Sequence, residues 1–308
     1  MLTAILFLLV GAAVLTVGAE AAIRGAARFA KARGISPFLL GALLFGIDVE
    51  SLGAALVAAG RGQTSIAAGE AFGTVVFLFG VGFGAALLLS RKPVEAPSDE
   101  MVLLPAAALA LGALAIADQT IGRLEGVELL FAYVAYVAIV LREGRAPQAR
   151  LQEIEREAEV AHKISPILLL VGGLALVYAG ATVLVDGGVR ILSRTSLAAG
   201  FVGAAIIGSL ASLDEVLLEV LPIRRGMPEL ATGNLFGTVA AFSTGVLGLA
   251  ALVRPLVLDS AAETAFLAAA VLYTIVAVAF LARGRAGRLV GLTLIACYGL
   301  WLAYAARR

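Results

Sequence analysis

Apolar runs long enough to cross a bilayer recur along nearly the whole of this 308-residue chain, and no other feature constrains it as strongly. A membrane-spanning helix needs roughly 20 such residues. Ten segments can be laid out, at about 2–23, 36–60, 64–90, 101–118, 124–142, 165–189, 197–222, 229–253, 259–282 and 286–306. In lipid, every backbone N–H and C=O must find its partner within the protein, so spanning elements are helices or a closed barrel. Barrel strands alternate in hydrophobicity over roughly 10 residues. These runs are longer and continuously apolar, which selects helices. Composition agrees: 61% of residues are hydrophobic and 15% charged, where soluble domains carry about 45–50% and about 25%. The chain reads as an all-α polytopic membrane protein whose first partner is the lipid bilayer.

Several function classes drop out. The formal net charge of +1 offers no basic surface for nucleic acid. The single histidine, His162, and the single cysteine, Cys297, exclude a Cys/His zinc site and an intramolecular disulfide. There is no G-x-x-x-x-G-K-[ST] nucleotide loop. No His/Glu zinc signature or Ser/Lys dyad is present, and lysine is absent from the apolar segments. The expectation is a protein that is not an enzyme and needs no cofactor. The stretch from Leu2 to Val17 lacks a basic leader and a cleavage site, so it is expected to be the first transmembrane helix and not a signal peptide. The lack of a targeting segment fits a prokaryotic plasma membrane.

Glu143 to Lys163 is the one long hydrophilic stretch, and it separates five segments from five. The expected organisation is a first repeat at 1–142, a charged cytoplasmic linker at 143–164 and a second repeat at 165–308. The two halves are related in sequence. Val17-Gly18-Ala19-Glu20 is followed by Arg24-Gly25 and Arg28, and Ala179-Gly180-Ala181-Thr182 by Asp186-Gly187 and Arg190. Gly69-Glu70-Ala71-Phe72-Gly73-Thr74-Val75 answers Gly233-Asn234-Leu235-Phe236-Gly237-Thr238-Val239, with five of seven positions identical. Because each half has an odd number of spans, the second must insert upside down, as in many secondary transporters. Lys and Arg divide 16 to 7 between the two sets of loops. The positive-inside rule then makes the richer set cytoplasmic and puts both termini outside.

Charges inside the bilayer cost several kcal/mol or more and mark function. Segment two holds Asp48 and Glu50, in Phe45-Gly46-Ile47-Asp48-Val49-Glu50-Ser51. Segment seven holds Asp214 and Glu215, in Ser212-Leu213-Asp214-Glu215, with Glu219 one turn on. Gly46 and Gly208 suggest helix breaks that would free carbonyl oxygens. Carboxylates, hydroxyls and carbonyls are hard oxygen ligands suited to Ca²⁺ and similar cations. The same groups bind Na⁺ or carry protons. Gly73-Thr74 and Gly237-Thr238 would add hydroxyl ligands, or serve as small-residue packing faces. Glu70 and Asn234 could line the pathway or face water at the membrane edge. Glu20 and Asp186 are expected in local contacts near Arg24 and Arg190.

These motifs resemble the calcium/cation antiporter superfamily, the sodium/calcium exchangers and their prokaryotic relatives. Gly34-Ile35-Ser36-Pro37-Phe38-Leu39-Leu40-Gly41 is similar to the family's entry into its second helix. Ala211-Ser212-Leu213-Asp214-Glu215 resembles its T-S-x-P-E core, and Gly233-Asn234-Leu235-Phe236-Gly237-Thr238 its G-N-x-x-G-S. The resemblance implies an exchanger-like fold of two inverted five-helix repeats. It implies Glu50 and Glu215 as the central cation ligands, with Ser212, Thr74 and Thr238 as neutral oxygens. The chain departs from the family in four ways. Asp214 replaces the motif's proline, and the first repeat is about three residues short before Glu50. Leu78 and Phe242 stand at positions normally filled by polar ligands, and Val75 and Val239 replace asparagines. Two neutral ligands are lost and two aspartates, Asp48 and Asp214, are gained, which leans toward proton-coupled or divalent exchange.

The expected function is secondary antiport of Ca²⁺ or Na⁺ against Na⁺ or H⁺ by alternating access, with inorganic cations as partners. A non-transporting membrane scaffold of the same fold and a cation channel are the alternatives. The oligomeric state stays open, a monomer included.

Overall fold

The structure is a computed structural model and describes residues 2–32, 49–142, 164–213, 215–224 and 228–307. Each of the ten expected segments contains helix. They are α1 (Leu2–Ala32), α2 (Val49–Gly60), α3 (Thr64–Phe77, Leu78–Phe83 and Gly84–Leu89), α4 (Asp99–Ala115) and α5 (Arg123–Arg142) in the first half. The second half has α6 (Pro166–Leu192), α7a (Ala199–Phe201, Val202–Gly208 and Ser209–Ala211), α7b (Glu215–Arg224), α8 (Pro228–Ala240, Ala241–Val246 and Leu247–Val253), α9 (Ser260–Arg283) and α10 (Arg288–Ala305). Among the described residues, seven helices are long and apolar enough to cross a membrane: α1, α3, α5, α6, α8, α9 and α10. The first helix outruns its expected end near residue 23 and continues to Ala32. Arg24 and Arg28 ride on this last part, where Arg28 donates to the Ile164 carbonyl at 3.1 Å.

Four two-residue strands show how the halves are related. β1 (Val94–Glu95) follows α3, β2 (Thr120–Ile121) follows α4, β3 (Leu256–Val257) follows α8 and β4 (Arg285–Ala286) follows α9. β1 pairs antiparallel with β4, and β2 with β3. Placing one half on the other turns β1 into β3 and β2 into β4, so each sheet becomes the other. Both α4 and α9 run from one sheet to the other, which puts the sheets at opposite ends of the bundle. The 24 residues of α9 span about 36 Å at 1.5 Å per residue, enough for the hydrocarbon layer. The halves are therefore inverted repeats.

The bundle has an inner and an outer layer. α3 and α8 are the most deeply buried spans, with 78% and 83% of their windows inside the protein. Both contain a π-helical turn, Leu78–Phe83 and Ala241–Val246, at matching places in the repeats. Such turns insert an extra residue and recur at functional sites. Phe79 and Phe236 join α3 to α8 with ring centroids 6.3 Å apart, and Tyr273 of α9 lies 6.0 and 5.8 Å from them.

α1 and α6 belong to the outer layer, as do α5 and α10, with 22–33% of their windows inside the protein. Gly11, Gly18 and Gly25 recur every seven residues on α1, and Gly173, Gly180 and Gly187 do so on α6. A Cβ on any of the six would stand 2.2–2.9 Å from an atom of the opposite helix. The helices thus pack antiparallel, backbone against backbone. Dispersion and close approach drive such pairs in membranes, where no hydrophobic force acts between helices.

Candidate functional site

The inner layer meets where α3 crosses α7a. Small residues permit the crossing. A Cβ on Gly69 would lie 2.2 Å from the Gly200 carbonyl oxygen, and one on Gly203 2.3 Å from that of Ile66. Gly208 sits 3.0 Å from the Glu70 carbonyl oxygen by the same construction. Gly208 is therefore a packing residue inside the π-helical turn Val202–Gly208. The break expected near it falls four residues later. Ser212 leaves the helix at φ −112° and ψ 20°, and α7b begins at Glu215. A break leaves the end groups of two half-helices available to ligands. The corresponding break expected at Gly46 lies outside the described residues.

Glu50 and Glu215 both stand in the first turn of a helix, α2 and α7b respectively. They are 5% and 2% exposed. The positive end of α7b, which follows the turn at Ser212, favours a carboxylate at Glu215 by about 0.3–1 kcal/mol. Next to Glu50, Ser51 points to the other repeat. The hydroxyls of Ser51 (α2), Thr74 (α3) and Ser212 (end of α7a) form a closed triangle. Ser51 Oγ is 3.2 Å from Thr74 Oγ1 and 3.1 Å from Ser212 Oγ, and the third side is 3.1 Å. All three residues are fully buried. Thr74 Oγ1 also lies 3.5 Å from Glu70 Oε1. Three hydroxyls and a carboxylate thus bring their oxygens together, and each hydroxyl has one proton to donate.

The second repeat contributes an amide bridge. Asn234 of α8 donates from Nδ2 to Glu215 Oε2 at 3.0 Å and to Glu219 Oε1 at 3.3 Å. Glu70, Asn234 and Glu219 are all buried, so Glu70 and Asn234 do not face water at the membrane edge. Thr238 is buried too, but its hydroxyl donates to the Asn234 carbonyl one turn back at 3.0 Å. Helical threonines often make this bond, and it keeps Thr238 out of the hydroxyl triangle. Leu78 and Phe242, which occupy the two polar-ligand positions of the resembled family, are 1% and 0% exposed and belong to the apolar core. Asp48 and Asp214 lie outside the described residues. Among the described residues, no three His, Cys, Asp or Glu side chains converge on one metal-binding point. The acids are strung along the seam between the repeats.

Ser51 was not among the expected ligands. Its signal was its place beside Glu50, and the ladder of contacts to Thr74 and Ser212 is tertiary. Asp186 also differs from expectation. Its carboxylate meets Arg61, from the α2–α3 turn of the other repeat, at 2.5 Å. Arg190 instead lies over the Phe7 ring at 4.2 Å. Glu20 does pair with Arg24, at 3.3 Å. Local spacing put Arg190 within reach of Asp186, and the crossing of α2 past α6 brought a closer cation.

Four buried glutamates, Glu50, Glu70, Glu215 and Glu219, share an interface whose buried polar residues include no lysine or arginine among the described residues. Buried charge of one sign calls for a cation or for protons. Two inverted helical repeats around such a seam define a secondary transporter for cations. The sodium/calcium exchanger protein family matches residues 3–142 and 165–307, and the chain belongs to that family. It is an integral membrane cation antiporter. It is similar to CaxA of Alkalimonas amylolytica, a protein named as an antiporter, with 32% identity over 272 residues covering 85% of this chain and 84% of that one. The inner membrane protein YrbG of Escherichia coli is 25% identical over 323 residues, covering 98% and 97%. Among solved structures, the sodium-calcium exchanger NCX_Mj soaked with Na⁺ and Sr²⁺ shares the fold, at TM-score 0.60 and 21% identity over 98% of each chain.

Proposed function

We propose that this antiporter exchanges Ca²⁺ or Na⁺ against Na⁺ or H⁺ by alternating access. Glu50 and Glu215 hold the cation from opposite repeats at mid-membrane. Ser212, Thr74 and Ser51 supply neutral oxygens, and Thr238 contributes from α8. Asp48 and Asp214 add charge or relay protons. The moving parts are the repeats, 1–142 and 165–308, joined by the linker 143–164 on the cytoplasmic side, with both termini outside.

One observation carries the reading: four buried glutamates, with no buried lysine or arginine among the described residues, flank a hydroxyl triangle drawn from both repeats. Ca²⁺ and Na⁺ are hard cations that take such oxygens. The names of the relatives point the same way, since CaxA is named as an antiporter and NCX_Mj as a sodium-calcium exchanger.

The test is flux in proteoliposomes. An imposed Na⁺ or pH gradient is expected to drive radiolabelled Ca²⁺ or Na⁺ uptake that needs the counter-ion. Current without a counter-ion requirement would mark a channel. No coupled flux of any cation would mark a scaffold, and either result overturns the proposal.

A further inference from the structure

Glu219 is not needed for the site just proposed, yet it is an acid held wholly inside the protein. It is fully buried, and its Oε2 accepts no hydrogen bond among the described residues. Buried polar atoms are satisfied in the great majority of cases, and an exception asks for a missing partner. The other oxygen, Oε1, receives only one described bond, from an Asn234 amide that Glu215 also uses.

Among the described residues, the surroundings supply no cation. The elements packed most closely against α7b are α8 and the π-helical turn of α3 with its following helix. From α8 comes the neutral Asn234. From α3 comes Gly82, where a Cβ would meet Glu219 Cγ at 3.4 Å. No lysine, arginine or histidine occurs in Leu78–Leu89.

The arrangement is also specific to one repeat. The offset that places Glu50 on Glu215 places Ala54 on Glu219, and Ala54 is an apolar core residue. Glu70 and Asn234 are equivalent positions. The acid that sits on the third helix in the first repeat has moved to the seventh helix in the second, and an amide stands in its old place.

An amide in that place has two faces. Its N–H donors now lie between two carboxylates, where a positive charge would lie. Turned over, the same side chain offers a carbonyl oxygen. We infer that Glu219, Glu215 and Asn234 form a second cation-binding station for Na⁺ or Ca²⁺. It lies one helical turn from Glu215 toward the α7b–α8 connection, and the repeat asymmetry makes it single. A cation arriving there takes one oxygen from each glutamate, displaces the amide hydrogens and receives the Asn234 Oδ1 as Asn234 turns. This station rests on the reading that Glu215 holds the transported ion.

The experiment is equilibrium binding of radiolabelled Ca²⁺, and separately Na⁺, to the purified chain in lipid nanodiscs, for wild type, E219Q, E219D and E50Q. Wild type is expected to bind one more cation of at least one kind than E219Q does. E219D keeps the charge on a shorter arm, and the second station is expected to survive with affinity at least about 10-fold weaker, since changing even the outer partners of a metal's ligands costs that much. E50Q, on the other repeat, is expected to weaken the central site and leave the second station's occupancy in place. The inference is overturned if E219Q, or E219D where E219Q does not yield folded protein, binds the same number of cations with the same affinities as wild type. Absence of any cation binding by wild type would instead overturn the proposed function itself, and the station with it.

Discussion

Gly73 of α3 crosses Ala204 of α7a so closely that a Cβ on the glycine would lie 2.3 Å from the Ala204 carbonyl oxygen. This contact sets the distance between the helices that carry Thr74 and Ser212. Backbone cannot move aside as a flexible side chain can. Gly73→Ala is expected to lower stability by about 1–3 kcal/mol or more, the cost of overpacking a tight core, and to reduce exchange even where the protein folds. Gly172→Ala is the control, because nothing lies within 4 Å of its added methyl group. Thermal unfolding in detergent reads both, and the control is expected to be neutral or slightly stabilising.

The two threonines of the repeated Gly-Thr pair are expected to respond unequally. Thr74 belongs to the hydroxyl triangle, whereas Thr238 is bonded to its own helix. Thr74→Val removes a hydroxyl that two buried serines contact, at a cost of about 1–3 kcal/mol for unsatisfied buried groups. Thr238→Val removes a bond internal to a helix. Cation affinity, from the concentration dependence of exchange, is expected to fall more in Thr74→Val. Equal effects would argue that the triangle has no part in binding.

Much of the fold was legible because length and apolarity alone define spans. The inversion followed from an odd count of segments. What faces what was less legible. Spacing placed Glu70 and Asn234 on their helices but could not say whether they faced water, since that depends on which neighbours cover them. The break in α7 was sought at Gly208 because glycine permits it. That glycine serves the crossing with α3, and the chain breaks at Ser212. Asp186 has Arg190 one turn away in sequence, and only the tertiary approach of the α2–α3 turn makes Arg61 its partner. The seven-residue glycine spacing of α1 and α6 was present in the sequence, yet its meaning needs both helices side by side.

The Arg61–Asp186 pair tests how far such cross-repeat contacts stabilise the protein. Both side chains are about two-fifths exposed, at 40% and 39%. Exposed ion pairs contribute roughly 0–1 kcal/mol. A double-mutant cycle with Arg61→Ala and Asp186→Ala is expected to give a coupling energy below about 1 kcal/mol that shrinks as salt is raised, because screening acts on exposed charges. A larger, salt-independent coupling would show that the pair is shielded from water.

The glycine stripe of the outer pair gives a further expectation. Gly180 lies where a Cβ would come 2.4 Å from the Leu15 backbone nitrogen. Gly180→Leu is expected to push α1 and α6 apart and lower the unfolding temperature well below that of Gly172→Ala on the same helix. Circular dichroism on heating reads the difference, and similar values for the two variants would contradict the backbone packing described.

The central claim is that one glutamate from each repeat holds the transported cation. Gradient-driven Ca²⁺ and Na⁺ uptake in proteoliposomes, compared among wild type, Glu50→Gln and Glu215→Gln, tests it most directly. Each substitution keeps the shape and removes the charge. Coupled uptake by wild type, with loss of nearly all of it in both variants, is the predicted result. Wild-type rates retained by either variant, in properly folded protein, would contradict the claim.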